Sequence, residues 1–382
     1  MKRVFIITTA FLDCQTGKLS IGGLETYIYN LSLACREFGY EVKVFQFVKD
    51  AENRTASVEG IECRFVPTAS NQKEFDRIYK ENNGADTVFV IGTDQMNIRS
   101  KAGNVVTIQH GVAFDIPGYM IPGFWGKTKL LQSVNKLLRC VRNVKRMDSV
   151  RNTVCVDYNY YNWYKTLGTL AQDKRVWVIP NFSSVCISRE KLLSKLAARP
   201  AIVKLVFSRR FEEYRGSLLF TRVVRRLMDE GAPIDVTFAG GGVCRKEMET
   251  ILSGCSNVHF TTYETPDSVK FHSAYDIAVV PTIYSEGTSF SLCEAMSAGC
   301  FPICTFVGGL SNILIDHFNG LLCAPTEQSL YEAIKEALNM VDAGTYDGIV
   351  KNAYDTAVTS LSLSLWKEKW KKVIESVSEC HQ

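Results

Sequence analysis

Two glutamates, separated by seven residues, stand out in the segment 281–302. Glu286 follows an apolar run and lies in a polar stretch, whereas Glu294 lies within an otherwise apolar helical pattern. The order of these patterns predicts a strand, a loop that carries Glu286, and a helix that begins near Thr288–Ser289. Because open α/β sheets bind ligands at the carboxyl ends of their strands, both carboxylates are candidates for ligand binding.

The predicted start of this helix is also a candidate anion site. The backbone amides of Thr288, Ser289 and Phe290 would point toward an anion at the positive end of the helix dipole. A solvated Glu286 and a surface Glu294 are the alternative, although the apolar neighbours of Glu294 argue against it. A buried carboxylate there needs hydrogen-bond donors, such as the hydroxyls of a ribose.

A pair of glycines precedes the first amphipathic helical pattern of the chain. Gly22 and Gly23 would let the backbone approach a ligand closely, and the helix that follows would offer free N–H groups to an anion. Because Gly-Gly is common in turns, a simple turn is the alternative interpretation.

Short apolar runs alternate with helical patterns along the chain, which is typical of βαβ units and parallel sheets. One series of predicted strands runs from Val4–Thr9 to Val176–Pro180, and a second runs from Lys204–Ser208 to Phe301–Cys304. The length of 382 residues exceeds the roughly 250–300 residues at which a single core stops growing. Two α/β domains are therefore expected, with a boundary in the stretch 182–200.

Composition and charge limit the kinds of partner that this protein is expected to bind. Hydrophobic residues make up 46% and charged residues 22% of the chain, as in an ordinary globular protein. The formal net charge of +4 is too small and too dispersed for nucleic-acid binding. It is divided unevenly, because residues 1–182 hold 24 Lys/Arg and 17 Asp/Glu, a balance of +7, and the remainder is negative. Only the first half is expected to meet a negatively charged partner.

The thirteen cysteines, scattered from Cys14 to Cys380, form no CxxC pair, so neither a zinc site nor a disulfide framework is predicted. An odd number of free cysteines fits a reducing compartment, so a cytoplasmic protein is expected. The apolar N-terminal run indicates a buried first strand rather than a signal peptide, and no stretch reaches the ~18–20 apolar residues of a membrane span.

The segment with the two glutamates resembles the motif of retaining glycosyltransferase family 4, the group 1 glycosyl transferases, in which Ala-Met and Gly-x-Pro follow the second glutamate. The resemblance covers nearly the whole chain. The runs 208–216, 238–242 and 22–25 are similar to the family's Gly-Arg-Leu with Lys-Gly, its strand-to-glycine turn, and its Gly-Gly-x-Glu. The resemblance implies the GT-B fold, in which two Rossmann-like domains face each other across a cleft.

The resemblance also implies a role for each matched residue. Arg210 and Arg215 would hold the donor diphosphate, whose charge grows as the glycosidic bond breaks. Glu286 would hold sugar hydroxyls, Glu294 the ribose, and His110 would face the donor sugar, with a structural histidine as the alternative. The other implied donor-binding residues are Gly22, Gly23, Arg209, Gly240, Gly241, Thr288, Ser289 and Phe290.

Three positions depart from the family pattern. Arg215 stands where lysine is usual, which keeps the charge and changes its geometry. Arg209 replaces the glycine before the key arginine, so a one-residue shift between Arg209 and Arg210 stays open. Ser289 replaces the second glycine of the Glu-Gly-Phe-Gly form, which puts the sugar preference in doubt.

The implied enzyme moves a sugar from a nucleotide-sugar, a UDP- or GDP-sugar, to a glycan or lipid-linked acceptor, with retention and without a metal or other cofactor. Its setting would be the biosynthesis of surface polysaccharide, lipopolysaccharide or another glycoconjugate. Residues 1–182 would bind the acceptor and residues 183–359 the donor, and a helix within about 360–382 would pack back onto the first domain. A sugar-nucleotide epimerase or hydrolase and a non-catalytic nucleotide-sugar-binding subunit stay open as alternatives.

Residues 117–147 contain seven Lys/Arg and no Asp/Glu. Apolar residues recur there at spacings of four and three, which predicts a helix with one apolar face formed by Leu130, Val134, Leu137, Val141 and Val144. A basic amphipathic helix can lie on an anionic membrane, and the protein would then work at the inner face of that membrane. A helix that packs its apolar face into the core is the alternative.

Overall fold

A computed structural model of the chain describes residues 2–20, 22–49, 52–112, 114–169, 173–198, 201–263 and 267–379. The described strands are β1 (Arg3–Thr8), β2 (Glu41–Val48), β3 (Thr55–Val58), β4 (Ile61–Pro67), β5 (Thr87–Ile91), β6 (Val105–Gln109), β7 (Asn152–Cys155), β8 (Arg175–Val178), β9 (Val203–Ser208), β10 (Ile234–Ala239), β11 (Val258–Thr261), β12 (Ile277–Val280), β13 (Phe301–Thr305) and β14 (Leu321–Cys323). The described α-helices are α1 (Gly23–Glu37), α2 (Asn71–Asn82), α3 (Lys129–Asp148), α4 (Tyr158–Leu167), α5 (Arg189–Ala197), α6 (Ser217–Asp229), α7 (Arg245–Ile251), α8 (Ser268–His272), α9 (Phe290–Ser297), α10 (Glu327–Ala343), α11 (Asp347–Ser360) and α12 (Leu363–Glu379).

The chain divides into two compact units. The first unit contains the chain up to His110, Leu137–Pro180 and the residues from Ser364 onward, and the second contains Gly111–Lys136 and Asn181–Leu363. Residues 111–136 therefore group with the second unit, whereas the sequence had placed them in the first half.

The first unit is built on an eight-stranded sheet with the order β3-β4-β2-β1-β5-β6-β7-β8. All pairs in this sheet are parallel except β3 with β4. Strands β1, β5 and β6 lie inside it and read as apolar runs because both of their faces are covered. The β3–β4 hairpin was not predicted, because its signal is the two-residue turn Glu59-Gly60, whose positive φ angles fit a primed hairpin turn, rather than an apolar run.

The second unit is built on a six-stranded parallel sheet with the order β11-β10-β9-β12-β13-β14. Its core includes stacked aromatic residues such as Phe207 and Phe220, whose ring centroids lie 6.0 Å apart. The chain passes from β9 to β10 on one side and later returns to β12 on the other, so the strand order reverses between β9 and β12. Ligands of open α/β sheets bind at such a reversal, outside the carboxyl ends of the strands.

The C-terminal helix α12 packs within the first unit. The rings of Trp366 and Trp370 lie 5.1 and 6.2 Å from the ring of Tyr27 on α1, and Trp370 Nε1 donates a hydrogen bond to the Tyr27 hydroxyl at 2.9 Å. The two tryptophans thereby fix the first turns of α1, close to Gly22 and Gly23.

Helix α3 exposes the apolar stripe that the sequence predicts. Leu130 is 74% and Leu137 is 64% exposed, whereas Asn143 and Met147, on the opposite side of the helix, are buried. The stripe does not pack into the core of the described residues, so the core-packing alternative is wrong. None of the described helices combines the length and the apolar composition that a membrane span requires.

The cysteines within the described ranges are free thiols, many of them buried. Residues 380–382, which include Cys380 and end the predicted segment 360–382, lie outside the described residues. Residues 199–200 of the predicted boundary stretch also lie outside them.

Candidate active site

Glu286 is a buried carboxylate in the loop between β12 and α9. Its Oε2 atom accepts hydrogen bonds from Arg209, from Arg215 Nη1 at 2.6 Å and from Thr282 Oγ1 at 2.9 Å. Among the described residues, none donates to Oε1. Burial would raise the pKa of Glu286, but the charges of the two arginines outweigh it and lower the pKa to about 2. Glu286 is therefore ionised at neutral pH, and its interpretation as a solvated loop residue is wrong.

Two arginines reach Glu286 from the turn that follows β9. The side chains of Arg209 and Arg215 are only 7% and 18% exposed. Arg209 also donates to Thr282 Oγ1, so the same threonine contacts both partners of the ion pair. Burial lowers the pKa of Arg209, although the Glu286 charge opposes this and a guanidinium remains protonated. Two cations and one carboxylate leave one net positive charge.

Arg210, which the sequence predicts to hold the diphosphate together with Arg215, does not join this cluster. The N–H of Arg209 donates to Ala239 O at 3.1 Å, so the ladder to β10 continues one residue beyond β9. Phe211 is fully buried. Arg210 lies between these two anchored residues and is exposed, and its Nη2 atom donates to the Tyr214 hydroxyl at 3.2 Å. The structure thus places Arg209, and not Arg210, beside Glu286 and Arg215, and phosphate binding by either arginine stays a prediction.

The predicted glycine turn after β10 packs against this segment. Gly240 and Gly242 have φ angles of 149° and 152°, and a Cβ atom at either would overlap the carbonyl of Arg209 or Phe211. Gly241 has open space on its Cβ side, and its carbonyl accepts a hydrogen bond from the Phe211 N–H at 2.8 Å. The turn holds Arg209 in place, whereas only Gly241 offers room for a ligand.

The start of α9 is held by its own side chains and by Asn181. Ser289 caps the helix, its hydroxyl accepting from Leu292 N at 3.4 Å. The hydroxyl of Thr288 accepts from Asn181 N at 2.7 Å, and the Asn181 side-chain amide donates to the Thr288 carbonyl. The ring of Phe290 packs edge-on against Phe182. These side chains fix the loop, so a ligand contact here would come from backbone amides.

Asp115 is a positioning residue that the sequence did not single out. Its carboxylate oxygens accept hydrogen bonds from the Ser285 N–H at 3.1 and 3.3 Å, within the second unit. Ser285 has a φ angle of 60°, an uncommon conformation for a residue with a side chain, immediately before Glu286. Because 170 residues separate Asp115 from Ser285, no local pattern could reveal the pair.

Glu294 lies near a second polar pair, Ser208 and Tyr263. Glu294 is half-buried, and burial raises its pKa to about 7 against the opposing effect of a hydrogen bond from Ser268. Burial raises the pKa of Tyr263, and the negative charge of Glu294 raises it further. The Tyr263 hydroxyl lies 2.5 Å from Ser208 Oγ, and its ring stacks on Phe271 at 4.4 Å. Tyr263 was not predicted, because it follows a short strand with little apolar signal.

His110 lies in the first unit, at the end of β6. Its Nε2 atom is 2.8 Å from Gly92 O, and because a carbonyl only accepts, Nε2 carries the proton. Burial lowers the pKa of His110 to about 4, so the ring is neutral at pH 7. The ring lies edge-on to Tyr27, with 5.0 Å between centroids. Since Tyr27 belongs to α1, the structure ties His110 to the helix that begins at Gly23.

Residues 203–340 match the family model described as glycosyl transferases group 1. Over 368 residues the chain is 23% identical to the GPI3 subunit of phosphatidylinositol N-acetylglucosaminyltransferase from Saccharomyces cerevisiae, with 88% of this chain and 77% of that protein covered. The corresponding subunit of Schizosaccharomyces pombe is 22% identical over 353 residues, with 87% and 74% covered.

Solved structures share the fold over almost the whole chain. Sucrose-phosphate synthase from Thermosynechococcus elongatus superimposes with a TM-score of 0.73 at 13% identity, covering 98% of both chains. HepE of Anabaena, in complex with UDP and glucose, superimposes with a TM-score of 0.71 at 12% identity, covering 98% of this chain and 100% of that one.

The family match contains Arg209, Arg215, Glu286 and Glu294, and the mainly parallel sheet of each unit agrees with the fold of the solved structures. Residues 203–340 therefore form a group 1 glycosyltransferase domain, and the chain is a glycosyltransferase of the GT-B fold.

Proposed function

We propose that this enzyme transfers a sugar from a UDP- or GDP-sugar to a hydroxyl of a glycan or lipid-linked acceptor, with retention and without a resident metal or cofactor. The observation that carries the proposal is the buried cluster of Arg209, Arg215 and Glu286 beside the carboxyl ends of β9 and β12. Its net positive charge suits a diphosphate, because guanidinium groups bind phosphate oxygens with paired, charge-assisted hydrogen bonds.

In the proposed reaction, the bond between the sugar C1 and the terminal phosphate oxygen breaks, and its electron pair stays on that oxygen. Arg209 and Arg215 stabilise the charge that grows there. The acceptor oxygen forms the new bond to C1 on the same face of the sugar, and its proton passes to the released diphosphate. Glu286 would hold the sugar hydroxyls through Oε1, the oxygen to which no described residue donates.

Glu294 would accept hydrogen bonds from the ribose, near Tyr263 and Ser208. We take UDP-sugars as the first donors to test, because HepE was solved with UDP and with UDP-glucose. An acceptor in surface polysaccharide or glycoconjugate synthesis is supported by two relatives. One is WaaG, a glycosyltransferase involved in lipopolysaccharide biosynthesis, and the other is the phosphatidylinositol N-acetylglucosaminyltransferase subunit.

The test of this function is incubation with UDP- and GDP-sugars and an extract of glycolipid and glycan acceptors, followed by mass spectrometry of the products and NMR of the new linkage. We expect release of the nucleoside diphosphate together with a glycosylated acceptor, whose new linkage keeps the donor's anomeric configuration. Free sugar without glycosylated product would indicate a hydrolase, and a changed nucleotide-sugar would indicate an epimerase. Binding without turnover of any donor would indicate a non-catalytic subunit.

We further propose that the segment 117–147 rests on an anionic membrane surface, which would place a cytoplasmic enzyme at the inner face. The exposed stripe of α3 continues toward Phe124, which is 61% exposed. Within the described residues, Lys127, Lys129 and Lys145 have no ion-pair partner. These charges are therefore available to anionic headgroups while the stripe contacts the acyl boundary.

The C-terminal end of α3 is firmly held, so its free face can contact a surface without losing the helix. Lys174 Nζ donates to Met147 O at 2.7 Å and to Val150 O at 2.9 Å. The Tyr164 hydroxyl donates to Asp148 Oδ1 at 2.5 Å.

Co-sedimentation with vesicles tests this contact. We expect binding to vesicles with phosphatidylglycerol but not to pure phosphatidylcholine, and at least a tenfold loss in Leu130→Ser/Leu137→Ser. The matched control is Leu167→Ser on α4, which removes a leucine that is 54% exposed on another helix. Equal binding to both kinds of vesicle, or equal loss in the control, would contradict membrane contact through α3.

A further inference from the structure

A cavity of about 620 Å³ opens within the first unit, at the carboxyl ends of four neighbouring strands. Thr9 follows β1, Lys49 follows β2, Thr68 follows β4, and Asn97 follows the turn after β5. The strand order reverses between β1 and β5, so the cavity lies where open α/β sheets bind ligands. Its volume falls within the ~300–1,000 Å³ of small-molecule sites.

Hydrogen bonds within the cavity wall fix its frame. The Ser70 N–H donates to Thr68 Oγ1 at 3.0 Å, and Ser70 caps helix α2. The side chain of Gln72 accepts from Arg99 N at 2.8 Å and donates to Arg99 O at 3.2 Å. Asn71 Nδ2 donates to Met96 O at 3.2 Å. The rim therefore holds its shape without a ligand.

Three polar groups on the same wall are left for a ligand. Within the part of the chain that the structure describes, no hydrogen bond engages the Thr9 hydroxyl, the Lys49 ammonium or the Asn71 Oδ1 atom. They supply one hydroxyl, one cation and one acceptor. The buried rings and chains of Phe47 and Met96 form an apolar floor beneath them.

The charge in the described lining of the cavity is positive. Among the described residues that line it, Lys49 alone is charged and none is acidic. Residues 1–182, which contain the cavity, hold 24 Lys/Arg against 17 Asp/Glu. A ligand with several hydroxyls and one negative charge complements these groups.

We infer that this cavity binds the acceptor through a hydroxyl-rich headgroup that carries a phosphate, which Lys49 contacts. The inference rests on the proposed function, because it supplies the second substrate of the transfer. All the residues named for this cavity belong to the first unit, whereas the donor cluster belongs to the second. The two sites can therefore be tested separately.

The probe is glucose 6-phosphate, with glucose and inorganic phosphate as comparators, and binding is followed by saturation-transfer NMR. We expect saturable binding of glucose 6-phosphate that is tighter than that of either comparator. Lys49→Met should weaken it about tenfold, as expected when one charge-assisted bond is lost. Ala69→Trp, which places a ring in the cavity, should abolish it. The matched control, Lys73→Met on the exposed side of α2, should bind normally.

UDP affinity, measured on the same samples, separates this inference from the proposed function. Unchanged UDP affinity in Lys49→Met and Ala69→Trp, together with lost glucose 6-phosphate binding, would support the acceptor cavity. Equal glucose 6-phosphate binding by all variants, or none by the folded wild type, would overturn it even where UDP binds. Failure of the wild type to bind UDP would count against the donor site instead.

Discussion

At the scale of single residues, Glu294 is expected to make donor binding depend on pH. Burial raises the pKa of Glu294 to about 7. Because ribose hydroxyls donate to the ionised carboxylate, binding of the donor below neutral pH should release a proton from Glu294. We expect the Kd of a UDP-sugar to rise up to about tenfold per unit as the pH falls from 7 to 5.5, and to stay flat above pH 8. Calorimetry with UDP-glucose measures this without interference, because its diphosphate does not titrate in that range.

Glu294→Gln is the control for this prediction. The variant should bind more weakly at pH 8 and should lose the pH dependence, since the amide cannot ionise. A wild-type slope that persists in Glu294→Gln would assign the titration to another group and remove Glu294 from the ribose site.

The residues of the candidate site could be predicted from the sequence where they belong to a motif. Glu286 and Glu294 followed from their spacing and surroundings. The choice between Arg209 and Arg210 could not be made, because it depends on the ladder to β10 continuing one residue past β9. Asp115 carries no local signal, since only the fold brings it to Ser285.

At the scale of elements, Lys174 is expected to link the anchoring of α3 to pH. Burial lowers its pKa to about 7, whereas an unfolded lysine titrates near 10.4. Between these values the unfolded chain binds more protons, so this residue makes the free energy of unfolding rise with pH above 7. We expect a gain of up to about 2 kcal/mol between pH 7 and 9, measured by urea unfolding.

Lys174→Met should lose this rise. It should also be less stable at pH 9, by about 1–3 kcal/mol, because the carbonyls of Met147 and Val150 lose their donor. Other titrating groups cancel in the difference between the two proteins. Parallel pH profiles of wild type and variant would show that burial does not lower the pKa of Lys174.

Elements with strong periodicity were predictable and weak ones were not. Strands such as β5 and β6 read as apolar runs because both faces are buried. Strand β3 is half-exposed and short, and its hairpin partner β4 was missed with it. The apolar spacing of α3 was clear from the sequence, but its exposure could be known only once the opposite side was seen to face the core.

At the scale of the whole molecule, α12 is expected to stabilise the first unit without affecting the arginine–glutamate cluster of the second unit. Trp370 is fully buried and bonds to Tyr27. Trp370→Ala should lower the free energy of unfolding by about 3–5 kcal/mol, as for other buried aromatic truncations. UDP affinity at 20 °C should stay within about threefold, because the arginine–glutamate cluster belongs to the second unit.

Calorimetric unfolding and UDP titration measure these two effects on one sample. Trp366→Phe, which keeps a ring at the neighbouring position, is the milder comparison. A Trp370→Ala protein that is fully stable, or one that loses UDP binding while folded, would contradict this division of roles.

The two-domain architecture was predictable from chain length and from the alternation of strands and helices. The grouping of residues 111–136 with the second unit was not, because this segment has few regular elements and lies between strands of the first sheet. Asp115 in that segment supports the loop that carries Glu286.

In the proposed function, Arg209 and Arg215, held beside Glu286, bind the donor diphosphate. The most direct test is UDP-glucose binding and turnover in Arg209→Met and Arg210→Met, neighbours that differ in burial but not in chemistry, with thermal unfolding as the check on folding. We predict that Arg209→Met weakens binding at least about tenfold and lowers kcat about 100-fold, while Arg210→Met stays within about threefold of wild type. Equal effects, or a larger loss in Arg210→Met, would contradict diphosphate binding by Arg209.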